Sequence, residues 1–272
     1  IFLLIIMQRM VTSSTAAVRQ SRERRLAMLE GGGTQQRHMN ETDIGETDIE
    51  DGDEAAFEAP SLNDRSEIAE LQDLVNLAQR AELQYQDAKV EALFDTLDAV
   101  LAEGSRKVII FTEFMATQDY LKRLLERRGF TVSILNGSMS IDERNAVTEE
   151  FRTKTDVFVS TDAGGEGLNL QFASVVINYD MPWNPMRIEQ RCGRVDRIGQ
   201  TRDVEVYNFM IDDTVESRVH EVIEEKLSVI LDELGIDKYS DVLDSEACDL
   251  DFTNAYMGSI GKPQAVARPV GT

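Results

Sequence analysis

The segment that decides the fold occupies residues 157–170 and reads VFVSTDAGGEGLNL. It begins with a short β-branched run and turns into glycines at 164, 165 and 167. The run is typical of a buried strand, and glycines allow backbone amides to approach a phosphate or ribose closely. Two interpretations of this segment stay open: a phosphate-binding loop, or a glycine-rich turn without a ligand.

Similar β-branched runs lie on both sides of this segment and alternate with helical patterns. Because uninterrupted apolar strands alternate with helices, the pattern predicts an α/β fold with a parallel sheet and helices on both faces. In such sheets, binding residues gather at the carboxyl ends of the strands. The predicted strands are Val108–Thr112, Thr131–Leu135, Val157–Ser160, Val175–Asn178 and Val204–Phe209, and the predicted helices between and after them are 116–128, 141–151, 185–193 and 214–234.

The regions that flank the predicted sheet differ from it in composition. Residues 1–33 and 66–104 carry apolar side chains at helical spacing, and the first 30 residues are expected to form one helix. Residues 34–65 are polar and acidic, which predicts a disordered linker. The α/β region is expected to span 105–212, and a helix with an acidic tail is expected over 213–272.

The charge of the chain is unevenly distributed. The formal net charge is −22, yet residues 107–210 hold 13 basic against 15 acidic side chains and are close to neutral. An acidic total argues against nucleic-acid binding, because contacts with phosphates supply most of that affinity. Here the acidic charge argues only against the flanks as the nucleic-acid-binding surface.

Cysteine and histidine are too scarce for a disulfide framework or a zinc site. Cys192 and Cys248 lie far apart without a C-x-x-C spacing, and the chain has two histidines. This usage fits a reducing cytoplasm. The apolar run at residues 1–7 is too short to span a membrane, and we expect that the sequence is a piece of a longer chain.

A second segment, residues 190–200, carries arginines three residues apart and reads QRCGRVDRIGQ. On a helix or a tight helical turn, Arg191, Arg194 and Arg197 are expected to share one face. Two interpretations stay open: a salt-bridged face with Asp196 and Glu189 as partners, or a set of guanidiniums for a transferring phosphoryl group.

The glycine-rich segment, the arginine segment and three further segments resemble, in sequence and in order, those of the second lobe of superfamily 2 helicases. The resemblance is to the SNF2-type group and includes its RapA-like branch. The ending RIGQ resembles the SNF2-type group and separates it from ordinary DEAD-box helicases. The resemblance implies a RecA-like fold. The matching segments, in chain order, are 107–114, 135–138 with 143, 144 and 151, then 160–173, 180–185 and 190–200.

The resemblance also implies roles for individual residues. Arg194 and Arg197 match the arginine fingers that reach ATP across the cleft between two lobes, and Gln190 matches a residue near that nucleotide. Trp183 matches an aromatic residue that approaches DNA, although a partly buried Trp that anchors its loop is the alternative. Arg191 matches a position where a structural role is as reasonable as a functional one. The glycine loop positions that face the nucleotide are Gly165, Glu166 and Gly167, and the positions that contact phosphates of the tracked strand are Thr112, Gly137, Ser138 and Thr161.

The sequence lacks two motifs that a complete motor needs. A G-x-x-x-x-G-K-[ST] loop and a D-E-x-H carboxylate pair, which hold phosphates and Mg²⁺, are absent. We therefore expect ATP to be shared with a first lobe that also binds Mg²⁺, with no metal ligand in this chain. That first lobe is expected to precede residues 1–33, on the same or an adjacent polypeptide.

Three functions remain open at this point. The first is the arginine-finger half of a motor that moves along double-stranded DNA. The second is a module that binds DNA or a partner without catalysis. The third is part of a motor that acts on RNA or on RNA polymerase complexes. None of the three requires a membrane.

Overall fold

A computed structural model describes residues 2–30, 64–84, 87–104, 106–162, 168–182, 185–197 and 199–212, together with 214 and 217. The chain divides into two compact units, residues 1–182 with 187–210 and residues 183–186 with 211–272. The predicted acidic linker, except 64 and 65, and the predicted terminal helix and tail, except 214 and 217, lie outside the described residues. The β-strands of the described residues belong to the first unit.

Helices precede the sheet and then alternate with its strands. Among the described residues, no helix is long and apolar enough to cross a membrane. In chain order the elements are α1 (Phe2–Ser13), α2 (Thr15–Glu30), α3 (Asp64–Gln84), α4 (Ala88–Ala102), β1 (Val108–Thr112), α5 (Met115–Arg128), β2 (Val132–Leu135), α6 (Ile141–Thr153), β3 (Val157–Thr161), β4 (Val175–Asn178), α7 (Pro185–Cys192) and β5 (Glu205–Asn208).

The five strands form one parallel sheet in the order β2-β3-β1-β4-β5. The predicted parallel sheet is confirmed, and each predicted strand lies within one residue of its observed bounds. β1 lies in the centre, so both of its edges are paired and all five of its residues are buried. The order places the carboxyl ends of β1, β3 and β4 side by side.

Alternate residues of the strands enter two separate apolar clusters, one on each face of the sheet. Val108 and Ile110 of β1 pack with side chains of α4 and α5. Ile109 and Phe111 pack with Phe151 of α6 and other residues of the opposite face. Since successive side chains of a strand point to opposite faces, this division confirms that helices cover both sides.

The first thirty residues form two helices where one was predicted. The break lies at Ser14, whose Oγ accepts a hydrogen bond from the backbone amide of Ala17 at 3.1 Å and caps the start of α2. Serine favours such a cap because its hydroxyl satisfies an amide that the helix leaves without a partner. The predicted helical region after residue 66 forms two helices, α3 and α4.

Candidate functional site at the carboxyl edge of the sheet

Polar residues gather where the parallel strands end. Thr112 of β1 and Thr161 of β3 are register partners in adjacent strands. Asp162 follows β3 directly, and Asp180 lies two residues beyond the last residue of β4. The polar residues that end or follow β1, β3 and β4 therefore lie at one edge of the sheet, where the sequence predicts the binding residues.

Asp162 and Arg191 form a bidentate ion pair across this edge. Arg191 Nε donates to Asp162 Oδ1 at 2.6 Å, and Nη2 donates to Oδ2 at 2.7 Å. Burial raises the pKa of Asp162, but the charges of Arg191, Arg187 and Arg194 outweigh it and lower the pKa below its ordinary value. The pair connects the start of the glycine-rich segment to helix α7.

Arg191 is buried, with 1% of its surface exposed. Its Nη1 donates to Asn178 Oδ1 and to the backbone carbonyl of Asp180, both at 2.9 Å, and its guanidinium lies 5.1 Å from the ring centroid of Phe111. Of the two roles left open for Arg191, these contacts favour the structural one.

The other two arginines occupy a turn rather than a helix. Helix α7 ends at Cys192, and residues 193–195 form a turn. Arg194 is 9% exposed, whereas Arg197 is exposed and its Nε donates to the carbonyl of Gly193 at 2.8 Å. Backbone hydrogen bonds from the amide of Arg194 to the carbonyl of Arg191 at 3.3 Å and from the amide of Asp196 to the carbonyl of Cys192 at 2.8 Å continue a tight helical turn beyond α7. The shared face of the three arginines stays a prediction, and the three side chains differ in exposure.

The turn is attached to the segment that follows the glycines. The amide of Leu170 donates to the carbonyl of Arg194 at 3.0 Å, and Val195 is fully buried in the same apolar cluster as Leu170. Gln190, the remaining nucleotide-contact candidate of this region, is exposed on α7. Together with the Asp162–Arg191 pair, these contacts fix the turn that carries Arg194 and Arg197, the R-x-x-R turn, next to the residues that follow the glycine-rich segment.

Asp180 accepts hydrogen bonds from three different parts of the fold. Its Oδ2 accepts from Thr112 Oγ1 at 2.6 Å, from Ser13 Oγ at 2.8 Å and from the amide of Glu113 at 3.1 Å. Lys89 Nζ lies 3.3 Å from Oδ1. This buried carboxylate therefore joins α1 and α4 to the end of β1, and it engages the hydroxyl of Thr112 that was predicted to contact a nucleic acid.

Glu113 is a second carboxylate at the end of β1, and it forms an ion pair with Arg9 of α1. Burial raises the pKa of Glu113 to about 7. The charge of Arg9 opposes this shift, and that of Asp180 adds to it. The N-terminal helix is thus attached to β1 through a carboxyl group that titrates near neutral pH.

The loop between β2 and α6 contains the accessible candidates for nucleic-acid contact. Ser138 is exposed and Gly137 is half-buried, whereas Thr112 and Thr161 are 0% and 6% exposed. Of the four backbone-contact candidates, the structure therefore presents only the loop pair to solvent.

Buried polar side chains hold the loop between β2 and α6 in position. Gln118 Nε2 donates to the carbonyl of Leu135 at the end of β2 and to that of Val159 within β3, and its Oε1 accepts from Asn136 Nδ2 at 3.1 Å. Asn136 Oδ1 accepts from Ser138 Oγ at 2.7 Å, and Arg144 Nη2 donates to the carbonyl of Gly137 at 2.9 Å. Ser140 and Glu143 form a capping box at the start of α6.

Four predicted site residues lie outside the described residues, namely Gly165, Glu166, Gly167 and Trp183. Sequence reasoning missed the roles of Asp162, Asp180 and Gln118. The two aspartates could have been found, because each closely follows a predicted strand. Within the described ranges, no three His, Cys, Asp or Glu side chains come together to hold a metal ion.

Comparison with known proteins identifies the central region. The family model described as the helicase conserved C-terminal domain matches residues 88–199. This region is a helicase C-terminal domain of the SNF2 type. The predicted RecA-like fold is confirmed with it.

Two curated relatives and one solved structure illustrate the similarity. The chain is 39% identical over 175 residues to an uncharacterized ATP-dependent helicase, YqhH, of Bacillus subtilis, covering 64% of this chain and 29% of that protein. It is 38% identical over 182 residues to the helicase SWR1 of Cryptococcus neoformans, covering 66% of this chain and 14% of that protein. The Pyrococcus furiosus Hef helicase domain has the same fold, with a TM-score of 0.51 and 20% identity over 78% of this chain and 39% of the other. The chain thus spans less than a third of the length of each of these two curated relatives.

Proposed function

We propose that this chain is the arginine-finger lobe of an SNF2-type, ATP-dependent DNA translocase. Within that motor it works with a first lobe that holds ATP and Mg²⁺. The observation that carries the proposal is the attachment of the R-x-x-R turn to the glycine-rich segment, through Asp162–Arg191 and Leu170–Arg194. A turn held in this way at the carboxyl edge of a parallel sheet is suited to act on phosphates.

The hydrogen-bond donors of the site fit a nucleoside triphosphate. Arg197 is exposed on the turn and Gln190 on the adjacent helix, and guanidiniums suit the planar, charged oxygens of phosphates. ATP supplies the phosphoryl group that passes to water. In the proposed function, Arg194 and Arg197 counter the negative charge that develops on that group, and the first lobe holds the metal.

The nucleic-acid surface is proposed to centre on the loop of Gly137 and Ser138. The amide of a glycine and the hydroxyl of a serine bind phosphate oxygens without reading a base sequence. The exposure of Ser138 and the rigid support from Asn136 and Arg144 favour this loop over Thr112 and Thr161. Trp183 remains a further proposed DNA contact. A reducing cytoplasm is the proposed location.

ATP turnover tests the finger assignment. The chain, joined to or mixed with its first lobe, is assayed with saturating duplex DNA. Arg194→Ala and Arg197→Ala should each lower kcat by roughly 10³-fold or more, the range for arginine fingers. Arg128→Ala is the matched control, because Arg128 is exposed on α5 and pairs with Asp98 away from the carboxyl edge.

The results separate the proposed function from its alternatives. Full turnover in both arginine variants would reject the finger assignment. Binding of DNA without any turnover in the presence of the first lobe would support a non-catalytic binding module instead. Stimulation by RNA polymerase complexes but not by DNA would favour the third function.

The acidic charge of the chain predicts how DNA binding by this lobe behaves. Duplex DNA should bind weakly, and the affinity should fall steeply between about 50 and 200 mM salt, because released counterions supply the binding free energy. Fluorescence anisotropy with one labelled duplex over a salt series measures the slope. Tight binding at about 200 mM salt would contradict a contact made mainly through phosphates.

A further inference from the structure

We propose that Gln200 is a positioning residue that holds the R-x-x-R turn in place for phosphate chemistry. The inference rests on the proposed function and deepens it, since it names the side chain that sets the geometry of Arg194 and Arg197. Gln200 does not reach substrate in this assignment and acts through the backbone.

The carboxamide of Gln200 connects three stretches of backbone. Nε2 donates to the carbonyls of Gln171 and Ala173, both at 2.9 Å, and to the carbonyl of Val195 at 3.2 Å. Oε1 accepts from the amides of Thr201 and Arg202 at 2.9 and 3.1 Å. One side chain therefore links the R-x-x-R turn, the segment before β4 and the chain that leaves the turn.

The turn that carries Arg194 and Arg197 follows the last residue of α7, Cys192. Backbone hydrogen bonds from the amides of Val195 and Asp196 to the carbonyl of Cys192 hold its first residues. The amide of Gln200 closes the turn on the carbonyl of Arg197 at 2.9 Å, and Gly199 has φ of +105°. Side-chain hydrogen bonds of Gln200 then fix the closed turn against the Gln171–Ala173 backbone.

The Gln200 carboxamide is difficult to replace because backbone carbonyls in buried surroundings accept its hydrogen bonds. Ala173 is 1% exposed and Val195 is fully buried, so water reaches their surroundings poorly. Loss of the Nε2 donor leaves carbonyls without this partner in a buried place, which favours a shift of the backbone. A displacement of about 1 Å at a phosphate-directed group is enough to reduce a rate by roughly 10²-fold.

The test pairs a substitution at Gln200 with a control substitution that removes a buried hydrogen bond elsewhere. Gln200→Met keeps the size of the side chain and removes all five hydrogen bonds. Ser133→Ala removes a buried hydroxyl that lies 2.8 Å from Thr155 Oγ1, away from the turn. Both variants are made in the chain joined to its first lobe, and their melting temperatures are compared.

Two readouts are needed. The first is hydrogen exchange at the amide of Leu170, which bonds to the carbonyl of Arg194 and not to Gln200, so it reports whether the turn stays docked. The second is ATP turnover as a function of ATP concentration. We expect Gln200→Met to speed Leu170 exchange and to lower kcat by at least ~10-fold, with KM for ATP changed by less than ~3-fold.

The control variant, Ser133→Ala, should lower the melting temperature without faster Leu170 exchange and without a lower kcat. Gln200→Glu is the second variant in case Gln200→Met folds poorly, since it keeps the acceptor and loses the donor, and it should give the same two effects. Unchanged Leu170 exchange, or unchanged kcat, in the folded Gln200 variants would overturn the positioning role. If Arg194→Ala and Arg197→Ala also keep full turnover, the proposed function itself fails, and Leu170 exchange then decides separately whether Gln200 holds the turn.

Discussion

Asp162 and Arg191 are joined by two parallel hydrogen bonds of 2.6 and 2.7 Å, although 29 residues separate them along the chain. Asp162 stands at the entrance to the glycine-rich segment, and Arg191 stands three residues before Arg194. The pair makes the position of one element depend on the other. A bidentate pair fixes orientation as well as distance, which a single contact does not.

We expect Asp162→Asn to destabilise the chain by about 3 kcal/mol, because it leaves the guanidinium of Arg191 buried without its counter-charge. Urea denaturation at pH 7 measures the loss. The lowered pKa of Asp162 sets the pH dependence. Its contribution is complete above the unfolded pKa of about 4 and is lost as pH falls below it, so the difference between wild type and variant should shrink in acid.

Asp98→Asn is the control for that substitution. Asp98 pairs with Arg128 at 2.7 Å, but both side chains are about half exposed, so the loss should stay under about 1 kcal/mol. Equal losses in the two variants would show that burial does not strengthen the Asp162–Arg191 pair.

Thr112→Val should destabilise the chain by about 1–2 kcal/mol, because the lost hydroxyl donates to the buried carboxylate of Asp180. Ser138→Ala, on the exposed loop, should change stability by less than about 1 kcal/mol and weaken DNA binding instead. Thermal unfolding and anisotropy with duplex DNA separate the two effects. Normal stability with weakened DNA binding in Thr112→Val would show that this hydroxyl does turn toward phosphate.

Glu113→Gln should remove a pH dependence from the stability of the chain. Burial raises the pKa of Glu113 from about 4.5 to about 7, so between these values the folded state binds more protons than the unfolded state. Stability contributed by Glu113 therefore falls as pH rises from about 4.5 to 7, by on the order of 3 kcal/mol.

Urea denaturation of wild type and Glu113→Gln at several pH values from about 5 to 8 tests this expectation. The wild type should lose stability relative to the variant as pH rises, and the two curves should run parallel above about pH 8. A difference that is constant over the whole range would mean that Glu113 titrates as an ordinary carboxyl group.

Gly199→Ala and Gly129→Ala should cost similar stability and differ in activity. Both glycines have positive φ, +105° and +98°, and neither would meet an atom within 4 Å through a new Cβ, so each loss comes from backbone conformation, at about 1–2 kcal/mol. Gly129 ends α5, whereas Gly199 ends the turn of Arg197. With the first lobe present, only Gly199→Ala should lower ATP turnover, by ~10-fold or more. Equal turnover losses would imply a general loss of folded protein.

The sequence alone determined the strands, the helices between them and the parallel arrangement. These features depend on local periodicity and on a general rule of connection, so an apolar run such as Val108–Thr112 is sufficient to predict a buried central strand. The ordered motifs around residues 160–173 and 190–200 also determined the family, because their letters and order carry that information without any coordinates.

Only the tertiary structure decided which polar side chains are exposed and can contact a ligand. Thr112 and Ser138 resemble each other as candidate phosphate contacts in sequence, yet one hydroxyl is buried against Asp180 and the other is exposed. Equal spacing likewise gave no reason to separate Arg191 from Arg194 and Arg197. Arg191 differs from Arg197 because Asp162, distant in sequence, lies opposite Arg191 at the sheet edge and pairs with it, whereas Arg197 is exposed. Long-range pairing of buried charges depends on where strands end in space, which local sequence patterns do not encode.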